Sequence, residues 1–141
     1  MVDILHRVGI DALPDKVFQA LTTIDGIRGW WSSEAHGSAT AGEAFEFRRN
    51  HLDVIETEPN LVRWRYSGPV TEWVGTEIIF RLEWREIQAI VLFYHRGWKE
   101  PVEFMHHCST KWATFLLSLK DLIETGVGHP EPDDTKIAVD G

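Results

Sequence analysis

The sequence predicts an α+β fold: an antiparallel sheet of about six or seven strands, two short helices after the first strand, and one long C-terminal helix covering the sheet. Three observations carry it. Ile78, Phe80, Leu82 and Trp84 alternate with Glu77, Ile79, Arg81, Glu83 and Arg85, the period-2 pattern of a strand with one buried face. Short β-rich runs follow one another between residues 44 and 98 with only turn-sized gaps, so neighbouring runs pair antiparallel. Met105, Cys108, Trp112, Phe115, Leu116, Leu119, Leu122 and Ile123 recur at spacings of three and four, a helical stripe that needs a sheet face against it.

In chain order, residues 2–10 read as a first strand with imperfect alternation. Pro14 suits a first helical position, and Val17, Phe18, Leu21 and Ile24 form a short apolar stripe after it. Leu13 has no side chain that can cap, so this helix starts on the proline alone. Asp25-Gly26 breaks it, and Ile27 to Trp31 forms a second short helix or turn. Ala44–Arg48, Leu52–Thr57 and Leu61–Ser67 are strands, separated by Arg49-Asn50 and by Glu58-Pro59-Asn60. An unbroken strand from Thr76 to Gly97 would be too long, so length alone places a turn at Arg85–Gln88. Pro101 suits a first turn, Gly126 the end of the long helix, and Pro130 forbids its resumption. Lys111, Ser118, Lys120, Asp121 and Glu124 are placed on its wet face.

A chain of 141 residues is one domain's worth. That domain is placed at residues 1–128, with 129–141 an acidic, proline-containing tail expected to be disordered. Apolar residues at 43% and charged residues at 26% exclude whole-chain disorder, collagen and coiled coil. A net charge of −8 leaves no positive field for a phosphate backbone, which argues against nucleic acid, and Arg48-Arg49 reads as a solvated turn pair. The longest apolar run, Ala89 to Tyr94, is far too short to span a bilayer, so no membrane insertion is expected. The N-terminus carries no apolar stretch of signal-peptide length, and Cys108, the single cysteine, can form no internal disulfide. A cytoplasmic protein is the expectation.

RVGIDALPDKVFQALTTIDGIRGWW (7–31), LFYHRGW (92–98) and WATFLLSLKDLIETGVG (112–128), in this element order, resemble the SRPBCC or START-like superfamily with its helix-grip fold. The branch they are most similar to is the homologues of the heat-shock chaperone ATPase activator. The resemblance implies a curved sheet wrapped around the long helix, an internal cavity between them, and a lipid or other hydrophobic metabolite inside. It departs from the usual pattern at Leu13 and in lacking a Gly-rich turn near 85–88.

The candidate ligand-binding residues are Phe45, Trp64, Tyr66, Phe80 and Trp84 from the sheet, His95 at a strand end, and Met105, Trp112 and Phe115 from the helix. Large rings on one sheet face and one helical stripe share an interior, either a packed core or the lining of a container. The buried tips of Tyr66 and Trp84 would need a polar partner in either case. Trp30 and Trp31 stand apart from this set, closing the second short helix. His95, beside the start of the long helix, is placed at a pocket mouth, where an imidazole can orient a ligand or move a proton near neutral pH. His106-His107-Cys108 are adjacent on a helix and point about 100° apart, so they do not converge on a metal. Ser32-Ser33 lack the glycine-flanked elbow of a nucleophile, and Glu56 and Glu58 flank a turn.

No catalytic residue, metal ligand or cofactor is therefore assigned. The leading expectation is a binding protein for a small hydrophobic molecule, with no covalent chemistry required. The alternatives are a co-chaperone-like activator of a partner chaperone's ATPase and an enzyme acting on a hydrophobic metabolite through His95.

Overall fold

In the computed structural model, which describes residues 1–141, strand β1 (Val2–Ile10) leads through Leu13 into helix α1 (Pro14–Thr22). Leu13 makes no capping hydrogen bond, and the helix begins on the proline whose φ is already helical. Helix α2 (Ile24–Trp30) is better specified, because Thr23 Oγ1 accepts the Gly26 N–H at 3.0 Å. Then come β2 (His36–Gly37), β3 (Ala44–Phe47), β4 (Asn50–Glu58) and β5 (Leu61–Tyr66). A single 3₁₀ turn at Thr71–Trp73 precedes β6 (Glu77–Arg85) and β7 (Gln88–Trp98). Helix α3 (Glu103–Thr125) ends where Gly126 takes φ 90° and donates to the Leu122 carbonyl.

The seven strands form one antiparallel sheet in the order β1-β7-β6-β5-β4-β3-β2, so the first strand lies beside the last. Register shifts in β1 (Val2/Ile4) and in β4 (Val54/Glu56) mark irregularities of the bulge type, which bend a sheet. The curved sheet grips α3, as the helix-grip resemblance implies. Two polar ties fasten helix to edge strand: the His6 ring to the Ser109 carbonyl at 3.0 Å, and Lys120 Nζ donating to the Gly9 carbonyl. The turn placed on length alone is a two-residue hairpin, Glu86-Ile87, with Glu86 at φ 55°.

Four expectations are corrected. Trp84 lies on the inward alternation of β6 yet is 51% exposed. Burial on that face falls away at the hairpin end: Ile78 and Phe80 are sealed, and Trp84, opposite Ala89, outruns the cover. Ser118 is buried rather than wet, donating to the Trp30 carbonyl at 2.9 Å and accepting from the His129 N–H at 2.6 Å. Trp30 and Trp31 do not stand apart, because both are sealed in the core. Residues 129–141 do not form a free tail. Glu131 pairs its backbone with Trp31 and Ser33, and Asp134 is buried against Lys111. Acidic composition predicted repulsion and disorder, but Arg48, Lys111 and Lys136 supply the opposing charge.

Candidate functional site

The middle of the grip is filled, and Trp31 fills it. It follows α2 directly, so the short helix carries its indole into the space between sheet and α3. There it stacks on Trp64 at 5.6 Å between ring centroids, lies 5.1 Å from Trp112, and meets Phe47 edge-on at 4.7 Å. Trp30 stacks behind it at 5.4 Å. Phe45, Trp64 and Phe80 are fully buried, with Phe45 and Phe80 each meeting the Trp64 ring edge-to-face. They are core residues, and the container expected between Trp64, Trp84 and Trp112 is closed.

Two of the polar tips in this interior, those of Tyr66 and His95, are satisfied within the chain, whereas the buried indole N–H of Trp64 has no hydrogen-bond partner. Tyr66 donates to Asn50 Oδ1 at 2.6 Å and accepts the Val70 N–H at 3.2 Å. Burial raises its phenol pKa, and the Val70 hydrogen bond only partly offsets that. His95 sits at no pocket mouth; its exposure is 0%. The Trp112 indole N–H donates to His95 Nδ1 at 3.1 Å, which assigns the ring proton to Nε2. Nε2–H then donates to Thr76 Oγ1 at 2.8 Å, and the Thr76 hydroxyl donates onward to the Trp73 carbonyl at 2.6 Å. With both nitrogens engaged and no carboxylate in the chain of bonds, burial pushes the imidazole pKa down to about 3. The ring is neutral at pH 7, and the acid–base role foreseen for it is not supported.

An opening remains at one end of the grip. A cavity of about 310 Å³ lies between the N-terminal half of α3, the β3–β4 turn, the 3₁₀ turn and residues 131–141. Its aromatic walls are Trp31, Phe47, Trp73, Phe104, Trp112 and Phe115, and its charged ones Arg48, Lys111, Glu131, Asp134, Lys136 and Asp140. Of the nine residues foreseen, only Trp112 and Phe115 line it. Met105 is half-buried outside the lining.

Trp73 stacks near-parallel to Trp112 at 6.0 Å between ring centroids, and both rings line the cavity. Lys111 rests over the Phe115 ring at 5.4 Å and bonds to Asp134. Cys108 also lines the cavity, but burial, opposed by the Trp73 side chain, pushes its thiol up to about 12 and keeps it protonated. No three His, Cys, Asp or Glu side chains gather as a metal group. One signal for this face was available in the sequence. Phe104, Cys108, Lys111 and Phe115 recur at spacings of four, three and four, a line that shares Cys108 and Phe115 with the apolar stripe and adds Phe104 and Lys111 at its edge. Trp73 carried no such signal, because it sits in a connection without periodicity.

Known structures agree with this architecture. The chain is 46% identical to the Aha1 dimer protein of Colwellia psychrerythraea, over 91% of this chain and 100% of that one, with a TM-score of 0.83. It shares the fold of CalU16 from Micromonospora echinospora (22% identity, 96% of this chain, 73% of that one, TM-score 0.79). SSP2350 from Staphylococcus saprophyticus is similar in fold as well (20% identity, 90% and 95%, TM-score 0.75). No family model matches the chain. No curated protein matches it either.

Proposed function

The chain belongs to the Aha1 family of helix-grip proteins, and on that premise we propose that it is a non-catalytic binding protein, holding a small molecule with a hydrophobic body in the cavity at the open end of the grip. One observation carries the reading: a cavity of about 310 Å³ with stacked Trp73 and Trp112 on its wall and charge at its rim. A small apolar molecule fits that volume, with rings to stack on and charges to orient its polar end. His95 and Cys108 favour binding over catalysis, since both are held in protonation states that move no proton near neutral pH. The lone free thiol fits a cytoplasmic setting, and no helix is long and apolar enough to cross a membrane.

Titration with the neutral dye N-phenylnaphthylamine, read by indole NMR, tests this. The Trp73 and Trp112 N–H resonances should move with the dye while that of Trp84, at the hairpin end of β6 and outside the lining, stays. Fixed resonances for Trp73 and Trp112 at saturating dye would overturn the reading.

A second reading, a co-chaperone-like activator of a chaperone ATPase, is favoured by the 46% identity to the Aha1 protein. It requires the protein to raise the ATPase rate of a purified heat-shock chaperone at stoichiometric ratio. A rate unchanged at tenfold excess would exclude that chaperone as the partner.

A further inference from the structure

The cations around the cavity are not equally committed. Lys111 leaves α3 with its side chain only 16% exposed, and all three of its acceptors come from the segment that crosses the cavity mouth. Asp134 Oδ2 takes one proton, the Thr135 carbonyl another at 2.7 Å, and the Gly141 carbonyl the third at 2.8 Å. The sheet and helices give it only the Phe115 ring. A half-buried ammonium without acceptors is costly, and of the three groups over Lys111 the Asp134 carboxylate is the one that brings an opposing charge.

Arg48 is the opposite case. It approaches Glu34 at 3.6 Å and Glu131 at 3.7 Å, both beyond hydrogen-bonding distance, so its forked donors are uncommitted. Glu131 Oε1 has no hydrogen-bond partner although it is buried. Both arginines of the turn also stand at positive φ, Arg48 at 50° and Arg49 at 82°. Asn and Gly are favoured at both central positions of such a two-residue hairpin. A strained backbone that carries a loosely held guanidinium to a cavity rim is a feature of binding sites rather than of cores.

We propose that Lys111 and Arg48 form the anion subsite of this cavity, that its ligand is a small amphipathic anion with a carboxylate or sulfonate on an apolar body, and that Asp134 occupies the subsite as an internal competitor. The proposal rests on the binding reading above and adds charge to it. An entering anion takes the place of the Asp134 carboxylate on Lys111 while its body lies against Trp73 and Trp112. Asp134 keeps Lys136 as a partner at 2.6 Å, so its displacement from Lys111 leaves no carboxylate unpaired. Lys111 is thus never without an acceptor, and empty and occupied sites exchange one ion pair for another.

A matched pair of dyes separates this proposal from the reading beneath it. Anilinonaphthalene sulfonate carries the anion, and N-phenylnaphthylamine is its neutral counterpart. Fluorescence titrations of the full chain should show Asp134→Asn binding the sulfonate about tenfold more tightly and the neutral dye unchanged. Lys111→Met should bind the sulfonate about tenfold more weakly, and Lys111→Arg should restore it. Unfolding midpoints identify any variant that loses its fold, and the Asp134→Asn arm then decides alone, since it removes charge with little change of shape. Equal sulfonate affinity in wild type and Asp134→Asn, with the neutral dye bound in both, overturns the anion subsite and leaves the binding reading intact. Failure of the wild type to bind either dye overturns both.

Discussion

The Trp112 indole donates its N–H to His95 Nδ1 at 3.1 Å, tying the long helix to the last strand through two fully enclosed rings. The bond fixes the histidine tautomer, and the tautomer fixes the rest of the chain through Thr76 to the Trp73 carbonyl. Protonating Nδ1 would set two donors against each other in a site without a counter-charge.

A pH dependence follows, with a definite sign. The folded ring titrates at about 3 and an unfolded histidine at about 6.5. As pH falls below about 6.5 the unfolded chain gains a proton that the native ring refuses, so this histidine lowers stability progressively between about 6.5 and 3. The slope approaches about 1.4 kcal/mol per pH unit, on the order of 4–5 kcal/mol across the window. Asp134 adds to the loss lower down: its burial is outweighed by hydrogen bonds from Lys111 and Lys136, and its depressed pKa gives stability that is lost as pH falls through the folded value. Urea unfolding at pH 7, 6, 5 and 4 should show His95→Asn less stable at pH 7, by about 2–3 kcal/mol for the unpartnered Trp112 and Thr76 groups, but with a flatter pH profile. Parallel profiles for wild type and variant would contradict the burial argument.

Trp31 decides whether this grip is a core or a container. Its ring packs against Trp64, Trp112, Phe45 and Phe47, so Trp31→Ala should lower stability by about 3–5 kcal/mol and leave an apolar void in the middle of the grip. Such a void stays dry and binds apolar molecules. Trp31 is also a wall of the cavity at the open end, so the void enlarges that cavity, and the variant, if folded by near-ultraviolet circular dichroism, should bind N-phenylnaphthylamine about tenfold more tightly than the wild type. Unchanged affinity would mean that the core collapses into the space.

How far the sequence carried the reading depended on whether a residue's neighbours were local. The β6 alternation and the α3 stripe are local patterns, and both elements formed where they predicted. Trp31 was misplaced because nothing in Ile-Arg-Gly-Trp-Trp tells how α2 packs on the sheet; that is a long-range fact. Trp84 was misplaced because alternation gives the face of a strand and not how far its cover extends. The cavity was half legible. Phe104, Cys108, Lys111 and Phe115 share a helical stripe, but helical spacing alone puts Lys111 on the wet face, because its partners lie more than twenty residues away, at Asp134, Thr135 and Gly141.

The hairpin between β3 and β4 should be stabilised by removing a side chain. Arg48 and Arg49 are the two central residues, both left-handed. A non-glycine residue in that region costs about 1–2 kcal/mol. Arg49→Gly, which leaves Arg48 in place, should therefore raise the urea unfolding free energy by about 1 kcal/mol and leave sulfonate binding unchanged. A loss of stability would show that the Arg49 side chain makes a contact worth more than the strain.

The docking of residues 129–141 depends on a close approach at Gly128. A Cβ there would overlap the Gly29 carbonyl oxygen of α2 and come 3.0 Å from the Ser118 carbonyl, backbone atoms that cannot swing aside. Gly128→Ala should push the following segment off the Ser118 hydroxyl, breaking the His129 N–H bond to it and the pairing of Glu131 with Trp31 and Ser33. Hydrogen exchange should speed up at residues 129–135 by tenfold or more, with the amides of β6 and β7 unchanged. With Asp134 lifted away, Lys111 loses its internal acceptor, so the same variant should bind anilinonaphthalene sulfonate more tightly. Faster exchange without tighter binding would mean that the segment covers the cavity without competing for its cation. Unchanged exchange would mean that α2 yields instead, and the Gly29 contact would then not be what holds the segment in place.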